Sequence, residues 1–134
     1  AESVPRRAQR LYQFLDPQWL NPKLYRRLVE AEEAIYQAAS DPMVNWDVED
    51  LHSAFEQAGF AVEIEVERVK TQVHVTGALL QRWFPPPPKP DTSYAARLAQ
   101  KLTAAEVESV KKTFFRYLDK HTVSWSSTVV FLVN

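Results

Sequence analysis

Apolar residues in the first third of the chain recur at helical intervals. Leu11, Phe14 and Leu15 share one side of a helix predicted over 4–15, which Pro17 ends because proline lacks the amide the next turn needs. Asn21-Pro22 starts a second helix, since asparagine caps well and proline suits the first turn. Its apolar stripe is Leu24, Leu28, Ala31, Ile35, Ala38 and Ala39, flanked by Tyr25 and Tyr36, and Ser40-Asp41-Pro42 breaks it. Asp47, with Asp50 three residues on, caps a third helix whose buried face is Leu51, Ala54, Phe55 and Ala58. Gly59 stands where a left-handed residue ends such a helix.

The period then changes to two. Phe60, Val62, Ile64 and Val66 face one way and Glu63, Glu65 and Glu67 the other, which predicts a half-buried strand. The alternation shifts at Arg68 to Lys70, where a bulge is expected, and extended structure continues to Thr76. Gly77 to Phe84 reads as one or two helical turns, and the prolines from Pro85 to Pro90 as an extended connector. Ser93 to Leu102 is predicted helical. Thr103 and Glu106 cap an amphipathic helix from Ala104 to about Asp119, with Val107, Val110, Phe114, Tyr117 and Leu118 on its core side. The β-branched and aromatic run Val123–Val133 is a terminal strand.

These elements define an α/β chain of α+β type: several helices packed on a small sheet that contains a long antiparallel pair, about 60–76 against 123–133. Two strands alone are marginally stable, so helices or strands from elsewhere must cover them. A length of 134 residues fits a single domain over 1–134. Its parts are a helical segment 1–40, a helix–strand–short helix segment 47–84, a proline-rich connector 85–92, and the helices and strand of 93–134.

Composition narrows the chemistry more than the fold. The chain has no cysteine, which excludes disulfides and thiolate metal sites. Residues 1–10 are polar and basic without the apolar stretch of a signal peptide, and no apolar run reaches a membrane span, so a cytoplasmic location is expected. The first residue is alanine, as in a trimmed or excised piece of a larger chain. Net charge is −1, against a dedicated nucleic-acid binder. The charge is nevertheless uneven: basic near the start, acidic from Glu32 to Glu67, basic again from Lys70. Arg6, Arg7, Arg10, Arg26 and Arg27 are therefore the candidate nucleic-acid contacts.

The two glycines, Gly59 and Gly77, are too few for a phosphate-cradling loop, so no nucleotide or adenosyl cofactor is expected. His52, His74 and His121 fall at no metal-ligand spacing and read as surface or capping residues. Ser126 and Ser127 lack the glycines and base of a nucleophile elbow. The expected assignment is therefore no catalytic, cofactor or metal residue. Glu63, Glu65 and Glu67 are either a solvated strand face or a carboxylate row for a cation or substrate. Arg82, Trp83 and Phe84 are the partner-binding candidates, because Trp, Phe and Arg dominate interface hot spots; the alternative places both rings in the core. The proline run, if exposed, offers a ligand for a proline-recognising domain.

Leu28 to Tyr36, then Asn45-Trp46-Asp47, then Asp50-Leu51 running to Ala58-Gly59-Phe60, resembles the closing section of class I S-adenosylmethionine-dependent methyltransferases, with Val123 to Val133 matching that family's last strand. The family's cofactor-binding half, with its glycine loop and acidic ribose-binding residue, is absent, so no cofactor residue carries over. In that family the region between the last two strands, here Gly77 to Thr122, lies on the substrate side. Glu32 to Tyr36 and Asp41 to Trp46 are also similar to the carboxy-terminal extension fused behind the cyanobacterial replication-associated recombination AAA+ ATPase. That resemblance implies a non-catalytic accessory domain, with ATP hydrolysis and most DNA contact left to the parent. The alternatives are the substrate-shaping part of a methyltransferase that lacks its cofactor half, and a free-standing interaction domain.

Overall fold

The computed structural model describes residues 2–37, 46–60, 63–87, 90 and 92–133. Its elements run β1 (Glu2–Ser3), α1 (Pro22–Ile35), α2 (Val48–Gln57), β2 (Glu63–His74), α3 (Gly77–Trp83), α4 (Tyr94–Leu98), α5 (Ala104–Leu118) and β3 (Thr122–Val133). The class is α+β, with β2 and β3 as the long antiparallel pair and strand order β1-β3-β2. β1 pairs antiparallel with β3, Glu2 opposite Val130. The expected break at Ser40-Asp41-Pro42, the Ala38 and Ala39 positions, Val62 and Pro88 lie outside the described residues.

The predicted helix over 4–15 is not formed. Three short 3-10 turns stand there instead, Pro5–Arg7, Leu11–Phe14 and Pro17–Trp19. Pro5 and Pro17 each open a turn. The amides of Leu11 and Tyr12 are taken by the Glu32 carboxylate rather than by a preceding helical turn. α1 begins where Asn21-Pro22 placed it, with the Asn21 side chain accepting from the Lys23 amide at 2.9 Å.

Within the expected single domain the contacts resolve into two compact units, neither continuous in sequence: 10–35 with 72–123, and 1–9 with 36–71 and 124–134. β2 and β3 each contribute residues to both.

The first unit holds most of the buried apolar residues. α5 is opened by a complete Thr103/Glu106 capping box and buries Val107, Val110, Phe114 and Leu118, the helical repeat of its sequence. Phe114 is fully buried, and Trp83, Phe84 and Tyr94 close around it with ring centroids 6.0, 5.2 and 6.0 Å away. Leu28 and Ala31 of α1 and Leu98 of α4 extend this core. Trp19 stacks on Tyr117 at 4.1 Å. Arg27 of α1 grips Glu106 with two hydrogen bonds, 2.6 and 2.9 Å, and that bonding holds the Glu106 carboxyl down to about 2. Val75 exchanges backbone hydrogen bonds with His121 and Lys120.

The second unit is organised differently. β1, α2 and most of β2 and β3 belong to it, yet Val4 and Val130 are its buried apolar residues among those described, with Thr128 beside them. Val4 donates its amide to the Thr128 carbonyl at 2.9 Å. α2 has the expected capping box at Asp47 and Asp50 but buries no residue; Leu51 and Phe55 are half-buried, and Ala54 and Ala58 are exposed.

Phe60, expected to begin the strand, belongs instead to the helix end. Its amide bonds to the Phe55 carbonyl and that of Gly59 to Glu56, and the Phe60 ring meets Phe55 edge-on at 6.3 Å. This is the hydrogen-bond pattern and hydrophobic contact of a Schellman motif, with Gly59 at φ 85°.

Gly59→Ala is expected to lower the opening free energy of α2 by about 1 kcal/mol, the cost of a left-handed residue with a Cβ. Space is not the obstacle, since a Cβ there would meet nothing within 4 Å. Gly77→Ala, at the first turn of α3 and equally open, should be neutral or slightly stabilising. Amide hydrogen exchange along α2 and α3 reads both.

Candidate interaction surface

The three residues expected to bind a partner divide. Trp83 and Phe84 lie in the core against Phe114, so they form no exposed pair; Arg82 is exposed. The correction has a simple cause. The spacing Leu80, Trp83 and Phe84 is one helical face, and α3 turns that face inward onto α5. Pro86 and Pro87 are exposed.

The five candidate arginines also divide. Arg7 pairs with Asp47 at 2.8 Å, Arg10 with Glu33 at 2.8 Å, and Arg27 with Glu106. Arg6, Arg7 and Arg26 are exposed. Carboxylates held this close offset much of the attraction that Arg7, Arg10 and Arg27 would exert on a phosphate backbone.

A residue that the sequence reading did not single out carries the most unusual chemistry. Glu32 of α1 is fully buried. Its carboxylate accepts from the Leu11 amide at 2.6 Å, the Tyr12 amide at 3.1 Å and the Tyr94 hydroxyl. It thereby ties a 3-10 turn, α1 and α4 together. Around it, Arg10 donates to Glu33, and the Tyr12 hydroxyl reaches Glu33 at 3.4 Å. Burial pushes the Glu32 carboxyl up to about 7, against the three donors and the nearby Arg10 charge, which favour the anion. Burial, then Glu33 and Glu32, also raise the Tyr12 hydroxyl. A signal was present: Leu28, Ala31, Glu32 and Ile35 share one helical stripe, so a carboxylate at that spacing must go inside with α1.

β2 departs furthest from expectation. Its apolar alternation predicts a half-buried strand, and the strand forms without interruption from Glu63 to His74. Ile64 and Val73 are half-buried and its other residues are exposed. Phe60, Val66 and Val69, exposed by 60%, 47% and 36%, are the large exposed apolar residues among those described. Glu63, Glu65 and Glu67 are exposed as well. β2 is the outer strand of its sheet, so one row of its backbone amides and carbonyls faces away from β3.

Beside it runs an open groove of about 610 Å³, lined by Val48, Glu49, His52 and Ser53 of α2 and by Glu63, Ile64 and Glu65. Three carboxylates and no lysine or arginine line this groove; His52 lies 3.4 Å from Glu56. A second groove, about 780 Å³, follows the start of α1, with Pro17, Leu20, Pro22, Tyr25 and Val29 between Arg26 and Glu30. Among the described residues no group of three His, Cys, Asp or Glu side chains is placed to hold a metal ion, and no helix is long and apolar enough to cross a membrane.

No protein-family model, curated protein or solved structure matches the chain. The chemistry of its own surfaces therefore carries the functional reading.

Glu32→Gln tests the buried acid. A carboxyl whose folded value is raised from 4.5 to about 7 binds its proton more tightly in the folded state, so its contribution to stability is complete below about 4.5 and is lost as pH rises to about 7. Wild-type unfolding free energy should fall over that range by on the order of 3 kcal/mol relative to the glutamine variant, then level off. Denaturant melts of both proteins between pH 4 and 8 measure it; parallel curves would assign the titration elsewhere.

Proposed function

We propose that this chain is a non-catalytic interaction domain whose working surface is the exposed β2 strand together with α2. The observation that carries the reading is the mismatch between pattern and burial: a strand and a helix with the alternation and periodicity of buried elements are left open, and the large exposed apolar residues among those described lie on β2 and at the end of α2. The Phe114 core supplies one well-packed unit, and the other unit presents the surface. A partner laid on β2 would supply the cover that a small sheet requires.

The parent implied by the sequence resemblance is a replication-associated AAA+ ATPase, which would carry ATP hydrolysis and DNA contact. The similarity of Glu32 to Tyr36 and of Asp41 to Trp46 supports that assignment.

A photo-crosslinking side chain at Val66, introduced into the native protein in its host, should join one defined partner. The same group at exposed Ala104 of α5 should not. In parallel, Val66→Ser should change stability by no more than about 0.5 kcal/mol, as a surface substitution does. A loss of several kcal/mol would place Val66 in a core, and the reading would fall.

A further inference from the structure

This inference rests on the interaction reading and names the occupant. We propose that the free edge of β2 takes an extended segment of a different protein, in which basic residues alternate with apolar ones, paired as an added strand beside Glu63–Glu67.

Three observations lead there. β2 is the outer strand, so its backbone offers hydrogen bonds that an extended chain can complete. Along its first half, Glu63, Glu65 and Glu67 point to one face and Ile64 and Val66 to the other. A paired strand places its own side chains directly opposite these, on the same faces, so basic residues meet the glutamates and apolar ones meet Ile64 and Val66. Finally, the groove beside this half has three carboxylates in its lining and no lysine or arginine, which extends the same preference beyond the strand itself.

A second copy of this chain fits poorly. Two β2 strands related by a two-fold axis pair antiparallel, with the axis at one residue. Centred on Glu65 or Glu67, each of those glutamates meets its own copy; centred on Val66, Glu65 meets Glu67. Centred on Arg68 or Lys70, like meets like, and centred on Val69, Arg68 meets Lys70. Every register about the middle of the strand therefore opposes like charges, which is destabilising. Charges on an outer strand reject such pairings and leave the complementary one open.

The test titrates the full chain with three short peptides: lysine alternating with valine, the same composition in two blocks, and glutamate alternating with valine. Backbone amide shifts are followed in each case. The expected result is that the alternating lysine peptide perturbs the β2 amides from Glu63 to Glu67 and binds at least about tenfold more tightly than the other two. The Glu65→Lys/Glu67→Lys variant should reverse the preference toward the glutamate peptide, with the lysine peptide weakened by about tenfold or more.

Equal binding of the block and alternating peptides would overturn strand pairing, and charge-blind binding would overturn the basic partner. Both outcomes leave the interaction reading standing. A dimer in sedimentation that Val66→Lys dissolves would assign the edge to a second copy and overturn the inference. No β2 shift with any peptide also overturns it, and the interaction reading falls with it when the Val66 crosslink is absent too.

Discussion

Phe114 receives three aromatic rings, and the unit that contains it is arranged by that requirement. A ring buried without exposure must be surrounded, and Trp83, Phe84 and Tyr94 come from two different helices to do it. α3 and α4 are short, and Pro85–Pro87 between them carry no backbone amide N–H with which to continue a helix. α3 is held by the apolar surface it buries on α5, and α4 packs on α1 while its Tyr94 ring reaches Phe114. Aromatic residues that resembled a docking site in the sequence are consumed in making this core.

The other unit is described by fewer buried apolar residues. Its sheet and α2 have sound local chemistry: a capping box, a Schellman end, and a clean alternation in the first half of β2. Among their described residues few apolar side chains are buried. Val4 and Val130 are its buried apolar residues among those described, and Val66 and Val69 remain exposed. This contrast between pattern and exposure is what the proposed interaction surface rests on.

Glu32 shows the opposite case, a polar group admitted to the interior because each of its contacts is a donor. Two amides of a 3-10 turn and the Tyr94 hydroxyl replace the water it gives up, which keeps burial from excluding it. Protonation does not disrupt this arrangement, because the Tyr94 hydroxyl can accept as well as donate. The network accounts for the shape of the amino-terminal segment: with the Leu11 and Tyr12 amides bound to a side chain, a continuous helix through 4–15 has no use for them.

Local chemistry was enough to place α1, α2, α3, α5 and the long strand pair, because caps, prolines, a left-handed glycine and hydrophobic period act over a few residues and leave their mark there. The absence of thiols and the scarcity of glycine were equally plain in composition. Burial could not be read the same way. Period tells which residues share a face, but whether that face meets a core or water depends on which other element arrives, and this is a contact across many residues. Hence Trp83 and Phe84 went inside while Val66 stayed out, although both lie on apolar stripes. The amino-terminal segment became turns rather than a helix because a carboxylate about twenty positions away claimed its amides, a pairing that only the folded chain brings about.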